Sequence, residues 1–223
     1  ARKLTRIDLR KDTLGESFVY PYAVVVVHER GMVIKAYVSC WNENSVAVIY
    51  PGGSVQSVLR IGVGRHPTAM LLNPEQTRLY VANSNNDSVS VIDTRTDKEL
   101  ERISVRLSEG VPAGNSPEGL ALRGDDLYVA NAHSNSVAVV ELADKTSEAI
   151  SASRNRTSQE EGLAPARSTV RGFIPTGQYP SALAVVGQTL FIGNGKGTGV
   201  QNSSVVVDNS GRVPNAPNDR FPV

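Results

Sequence analysis

The chain has 223 residues, of which 40% are hydrophobic and 20% are charged, and 23 lysines and arginines nearly balance 22 aspartates and glutamates. The chain therefore lacks the marked basic excess that is typical of a nucleic-acid-binding surface, and no nucleic-acid partner is predicted. Uninterrupted apolar runs such as Ala23 to Val27 are much shorter than the roughly 20 residues that cross a bilayer as a helix, so no transmembrane segment is predicted.

The N-terminal segment aligns with a later part of the chain. Residues 4–10, LTRIDLR, match residues 89–95, VSVIDTR, which belong to the third strand of a repeated unit. We therefore predict that residues 1–19 form the third and fourth strands of a preceding unit. The segment has no initiator Met and no apolar stretch of a signal peptide, so we expect a processed product or a piece of a longer protein, and export stays open.

The repeated unit begins with a proline and a small apolar run, followed by a short strand with an aromatic residue. This strand reads AYVS at 36–39, LYVAN at 79–83, LYVAN at 127–131 and LFIGN at 190–194. In the first three units a Ser-Val pair stands eight residues after the tyrosine and opens another apolar run. A fourth apolar segment follows. Four short strands per unit, at a period of about 45 residues, are typical of a β-propeller blade.

We therefore predict an all-β chain that forms a β-propeller of four-stranded antiparallel blades, with about four blades visible. The predicted blades are 20–64, 65–114, 115–177 with a polar insertion at 143–167, and a partial blade at 178–207, before an irregular tail or linker at 208–223. Two arrangements stay open. The N-terminal strands complete the last blade and close a four-bladed ring, or the chain is part of a larger ring, which we favour because a propeller must hide its sheet edges.

The Tyr-Val-Ala-Asn strands, with a proline upstream and Ser-Val-x-Val-Ile-Asp downstream, resemble the YVTN repeats of bacterial and archaeal β-propellers. The resemblance covers most of residues 20–207 and implies an exported, periplasmic or extracellular protein. The fourth unit carries GNGKG at 193–197 and resembles propellers that accompany a phosphoesterase-like domain. It implies, as an alternative, that the chain is the propeller portion of an enzyme whose catalytic domain lies elsewhere.

No catalytic residue, metal site or cofactor is predicted. The three histidines lie in different units without a nearby second ligand, and Cys40 is the single cysteine, so it has no intramolecular disulfide partner. The glycine-rich stretch at 193–199 lacks the P-loop pattern, so we expect a turn there, with anion binding at Lys196 as the alternative.

The predicted function is a non-catalytic scaffold or protein-binding module, with a protein partner in an envelope or membrane-associated complex. In a blade of this kind, the loop before the first strand and the loop after the second strand lie on the same face of the disc. Conspicuous side chains in these loops are therefore candidates for binding the partner. They are Trp41, Arg65, His66, Asn85, His133, Tyr179 and Lys196.

Overall fold

The structure is a computed structural model that describes residues 9, 19–51, 58–108, 110, 112–143 and 167–197. These residues form three four-stranded antiparallel sheets and one two-stranded sheet. The only helix among them is a 3-10 turn at Trp41–Glu43. The architecture confirms the predicted all-β propeller with four-stranded antiparallel blades.

Within each blade the strands are hydrogen-bonded in chain order. The first blade contains β1 (Pro21–Glu29), β2 (Met32–Cys40), β3 (Ser45–Ile49) and β4 (Leu59–Gly62). The second contains β5 (Pro67–Leu72), β6 (Arg78–Asn83), β7 (Ser88–Asp93) and β8 (Lys98–Ser104). The third contains β9 (Pro117–Arg123), β10 (Asp126–Asn131), β11 (Ser136–Glu141) and β12 (Thr169–Pro175). The fourth sheet contains β13 (Pro180–Val186) and β14 (Thr189–Asn194).

The repeated sequence motif produces a repeated strand register. The three tyrosines of the second strands lie opposite equivalent valines, in the pairs Tyr37–Val48, Tyr80–Val91 and Tyr128–Val139. The serine of each Ser-Val pair lies opposite the last residue of the preceding strand, because the offset of eight fixes the length of the hairpin. The first strands of successive blades contact one another, which places them nearest the axis.

The core consists of layers between adjacent blades. Tyr37 and Val48 of the first blade pack with Leu79 and Ile92 of the second, and all four are fully buried. Similar layers join the second blade to the third and the third blade to β13 and β14. Burial of this apolar surface stabilises the stack by about 25 cal/mol per Å².

The two end sheets each present an apolar face to solvent. An innermost strand with neighbours on both sides would be buried on both faces, yet in β1 Val24 is 62% exposed and Val26 is 38% exposed. At the other end, Val186 is 66% exposed and Phe191 is 56% exposed. The outer part of the first blade is covered differently, because Leu9 packs there against a buried cluster of β2 and β3.

Several sequence-based predictions lie outside the described residues. These are the N-terminal strands apart from positions 9 and 19, nearly all of the insertion at 143–167, and everything after residue 197. The predicted boundaries of the first and last units therefore stay predictions.

Candidate functional site

The loop before each first strand is bonded to the loop after each second strand. The backbone N–H of Trp41 donates to Tyr20, that of Ser84 to His66, that of Ala132 to Ser116 and that of Gly195 to Tyr179, over 2.8 to 3.0 Å. We call the side of the disc that carries these paired loops the top face. All seven candidate partner-binding residues lie on it.

Part of the polar surface of these loops joins the blades together. Asn44, Asp87 and Asn135, which precede the Ser-Val pairs, have left-handed φ angles of 52°, 47° and 49°. A side-chain oxygen of each accepts a hydrogen bond from the backbone N–H of a residue that precedes a proline in the next blade. The pairs are Asn44 with His66 at 3.3 Å, Asp87 with Ser116 at 3.2 Å, and Asn135 with Tyr179 at 2.9 Å.

A proline at position 21, 67, 117 or 180 begins each innermost strand at the top face, and the position after it differs between the units. This position holds Tyr22, Thr68, Glu118 and Ser181 in the four units. The next position is small in every unit, and a Cβ added at Gly119 would lie 2.8 Å from the carbonyl oxygen of Ser181. The first strands of neighbouring blades therefore approach one another closely at this small position. The side chains of Tyr22, Thr68, Glu118 and Ser181 lie one residue nearer the top face.

The hydroxyl of Tyr22 donates a hydrogen bond to Oε2 of Glu118 over 3.3 Å. This contact joins the first blade to the third, although the second blade lies between them in the chain. It therefore marks the opening of the axis on the top face. We call the group formed by Tyr22, Glu118, His133, Tyr179 and Lys196 the axial mouth.

Glu118 is the only acidic member of the axial mouth. Its half-buried position raises the pKa of the carboxyl group above the ordinary 4.5, because burial disfavours the charged form. Hydrogen bonds from Tyr22 and Ser116 and the charge of His133 oppose this increase. The pKa of Tyr22 is also raised, first by burial and then by the negative charge of Glu118.

Three side chains of the axial mouth lie side by side at the junction of the third and fourth units. The rings of His133 and Tyr179 have centroids 5.6 Å apart and are tilted by 54°. Nζ of Lys196 lies 4.6 Å from the centroid of the Tyr179 ring, within the range of a cation–π interaction. The mouth thus combines a carboxyl group, two phenols, an imidazole and an ammonium group.

The other candidates lie at the junction of the first and second blades. Trp41 and His66 are stacked with ring centroids 3.9 Å apart and an interplanar angle of 10°, and Trp41 is 37% exposed. Arg65 and Asn85 are exposed beside them, joined by a backbone hydrogen bond of 3.2 Å from Asn85 to Arg65. The structure therefore divides the seven predicted residues into two groups on one face.

The glycine-rich stretch forms a turn whose described N–H groups are engaged. Those of Gly195, Lys196 and Gly197 donate to backbone carbonyls of Tyr179, Gln178 and Asn194 over 2.8 to 3.4 Å. A phosphate-binding loop would leave such groups directed at the ligand. The described turn thus uses these groups within the fold, and only the ammonium group of Lys196 is a candidate for contacting an anion.

Sequence analysis missed Tyr22 and Glu118, the pair that defines the opening of the axis. Both follow a proline that the repeat pattern had located, so their equivalence was visible in the sequence. Their contact was not, because it joins residues 96 positions apart across the axis.

In the part of the chain that the structure describes, no three His, Cys, Asp or Glu side chains are grouped to hold a metal ion. Nor does any helix within the described ranges have the length and apolar character needed to span a membrane.

Solved structures with the same fold include two candidate 6-phosphogluconolactonases. The protein of Bacteroides fragilis is 14% identical with a TM-score of 0.59, over 82% of this chain and 50% of that one. The protein of Bacteroides uniformis is 12% identical with a TM-score of 0.58, over 86% and 52%. A Lactobacillus plantarum protein is 17% identical with a TM-score of 0.58, over 88% and 54%. The chain thus spans about half the length of these structures.

At these identities the likeness shows the fold alone. Among curated proteins, no sequence matches the chain. A family model described as lactonase, seven-bladed β-propeller, matches residues 42–172. This range includes β3 to β11 and much of β12, and therefore Glu118 in β9 and the loop that holds His133. Because the match covers more than half of the chain, the chain belongs to the seven-bladed β-propeller family of lactonases.

Proposed function

We propose that the chain forms part of a larger propeller in which the axial mouth binds and hydrolyses a small lactone. The observation that carries the proposal is Glu118, a half-buried carboxyl group at the opening of the axis with a raised pKa. Membership of the lactonase family and the fold shared with two candidate 6-phosphogluconolactonases support it.

The proposed reaction needs one group that moves a proton. Water adds to the carbonyl carbon of the cyclic ester, the ring C–O bond breaks, and a hydroxy acid forms. Glu118 takes a proton from the attacking water and returns it to the ring oxygen, so protons balance over the cycle. A carboxyl pKa above its ordinary value suits this role, because a general base works best when its pKa lies nearer the working pH.

The neighbouring side chains have complementary roles in this proposal. The hydroxyl of Tyr22 orients the Glu118 carboxylate through the 3.3 Å hydrogen bond. His133 and Lys196 provide donors for hydroxyl or anionic groups of the ligand, and the Tyr179 ring between them provides a flat wall.

The test is whether the full-length protein hydrolyses gluconolactone, and the release of acid measures the rate of hydrolysis. We expect Glu118→Gln to lower kcat at least 100-fold, the usual contribution of a general base. The control is Glu29→Gln, which changes an exposed carboxylate at the opposite end of β1 and should keep full activity. Absence of hydrolysis by the unchanged protein, or full activity in Glu118→Gln, would overturn the proposal.

A second candidate function is the scaffold or protein-binding role expected from the sequence. The exposed Trp41 ring favours it, because aromatic side chains often dominate protein interfaces. Its stacking on His66 fixes the ring in place before a partner binds. Quantitative affinity capture from native cells should then recover one defined protein with the unchanged chain and at least tenfold less with Trp41→Ala.

The control for this capture is Met32→Ala, which changes a 67% exposed residue at the start of β2, on the opposite side of the disc. Equal recovery by Trp41→Ala and the unchanged protein would count against binding at this surface. If the Met32→Ala variant also failed to recover the partner, that result would likewise count against specific binding at the Trp41 surface.

We also propose that the chain belongs to the exported YVTN-repeat type and works in the periplasm or outside the cell. The repeated Tyr-Val-Ala-Asn strands support this assignment. Fractionation of native cells with an antibody against the chain tests the location, and recovery from the cytoplasm alone would overturn it. A phosphoesterase-like domain elsewhere in the protein is the alternative context, which sequencing the gene beyond Val223 would reveal.

A further inference from the structure

A cleft between the second and third blades lies at the opposite ends of the strands from the axial mouth. Its inner part is a cavity of about 360 Å³, and its outer part is a cavity of about 750 Å³. Both cavities are lined by Arg78, Tyr80 and Leu142, so they adjoin, and we call the two together the cleft. Such volumes are in the range of small-molecule sites, about 300 to 1,000 Å³.

The walls of the cleft are mixed, because apolar side chains line part of each cavity, while Glu75 and Asp125 also line the inner one. Leu71, Leu72 and Leu122 line the inner cavity, and Val91 and Leu100 line the outer one. Leu100 is 55% exposed, so a large apolar side chain stands at the rim without a covering neighbour in the described structure. These walls suit the apolar body of a ligand.

The outer cavity also carries arginines. Glu99 holds one edge of the Arg102 guanidinium through hydrogen bonds of 2.9 and 2.8 Å, while the Arg102 side chain stays 42% exposed. A guanidinium has five N–H donors, so this pair leaves others for a ligand. Arg167, which lies two residues before β12 and also lines this cavity, is exposed. Arg78, between the two cavities, is 3.2 Å from Asp93.

Among the described residues that line the outer cavity, the one carboxylate is that of Glu101, and it is engaged within the protein. One oxygen of Glu101 accepts a hydrogen bond from the backbone N–H of Ser168, and the other accepts one from its hydroxyl, both over 2.8 Å. These bonds draw the carboxylate toward Ser168. Three arginines line the outer cavity beside Glu101: Arg78 is paired with Asp93, Arg102 is paired with Glu99, and Arg102 and Arg167 are the exposed guanidinium groups at its rim.

We propose that this cleft binds a small amphipathic anion, with the apolar body between the blades and the carboxylate, sulfonate or phosphate head against Arg102 and Arg167. Guanidinium groups suit such heads because they bind them through paired, charge-assisted hydrogen bonds. Because apolar side chains line part of the cleft, we expect a ligand to need an apolar body as well as an anionic head in order to bind. This site is separate from the axial mouth, since the two share no residue.

Decanoate, below the concentration at which it forms micelles, is the probe for the full-length protein, with binding measured by calorimetry. We expect saturable binding, at least tenfold weaker binding of decanol, and at least tenfold weaker binding of decanoate by the double variant Arg102→Gln, Arg167→Gln. Arg95→Gln is the matched control, because its side chain is 82% exposed and lies outside the cleft. It should bind decanoate as the unchanged protein does.

Thermal unfolding checks that the arginine variants are folded. If the double variant fails to fold, Leu100→Ser removes an exposed part of the apolar wall and should also weaken decanoate binding. Equal affinity for decanol and decanoate, an unchanged affinity in these variants, or no binding by the unchanged protein would overturn the proposal. Loss of decanoate binding in Lys196→Gln but not in the cleft variants would move the site to the axial mouth and also overturn it.

Discussion

The ammonium group of Lys35 lies 2.8 Å from the carboxylate of Asp97 in the neighbouring blade, and these side chains are only 7% and 5% exposed. The hydroxyls of Tyr37 and Tyr50 donate to the same carboxylate. Nζ of Lys35 also lies 5.3 and 5.7 Å from the centroids of these two rings. The cluster joins the first and second blades on the side of the disc opposite the axial mouth.

Lys35→Met should lower the free energy of unfolding by about 3 kcal/mol, because it leaves the buried Asp97 carboxylate without its cation. Urea denaturation measures the difference. Lys98→Met is the control, since Lys98 is exposed one residue after Asp97, and its effect should stay within about 0.5 kcal/mol. Equal effects of the two substitutions would show that the buried pair contributes little.

Tyr50 should ionise well above the ordinary tyrosine range. Its 2.6 Å hydrogen bond to Asp97, followed by burial and the charge of that carboxylate, raises the pKa of Tyr50 from 10.0 to about 12. The folded state thus favours the neutral phenol, and this contribution to stability is fully present below pH 10 and lost as the pH rises through 12. Absorbance titration should lose one tyrosinate transition near pH 12 in Tyr50→Phe. A lost transition near pH 10 would contradict the assignment.

Asp87→Ala should destabilise the junction of the second and third blades by about 3 kcal/mol. The buried carboxylate accepts hydrogen bonds from the N–H groups of Gly114, Asn115 and Ser116 over 2.8 to 3.2 Å. Alanine leaves these donors without this acceptor and also tolerates the φ of 47° poorly. The exposed Asn85 in the same loop is the control, and Asn85→Ala should change thermal stability little. Similar melting temperatures for the two variants would refute this role for Asp87.

Gly119→Ala should cost about 1 to 3 kcal/mol, because the new Cβ would lie 2.8 Å from the backbone oxygen of Ser181 in the next unit. The backbone oxygen of Ser181 cannot rotate away from the new Cβ, as the end of a flexible side chain could. Gly172→Ala in β12 is the matched control, since nothing lies within 4 Å of a Cβ added there. Chemical denaturation of both variants checks the contrast, and an equally stable Gly119 variant would indicate that the innermost strands separate easily.

The blades were predictable because the information that specifies them is local. Proline, tyrosine and Ser-Val recur at short, nearly constant spacings, and those spacings determine the strands, hairpins and register. Positions such as Tyr80 and Val91 are paired within a single hairpin. The same logic placed Trp41 and His133 on one face, because the direction of each strand follows from the order of the strands.

The composition of the axial mouth and of the buried Lys35–Asp97 cluster could not be predicted in this way. Both depend on how side chains from different units meet, and the spacing of a repeat does not determine such contacts. Lys35 has no equivalent lysine before Tyr80 or Tyr128, so no pattern drew attention to it. The stacking of Trp41 on His66 similarly depends on how closely two loops from successive blades approach.

The position after each blade-opening proline combines a repeated backbone with a side chain that differs in every unit. Tyrosine, threonine, glutamate and serine occupy it in turn, while the main-chain bonds that anchor the adjoining loops recur. Substitutions there can accordingly alter the chemistry around the axis while the framework persists. One-residue changes at this position therefore suffice to make the rim of the axis chemically asymmetric, and a designer can vary that rim by the same route.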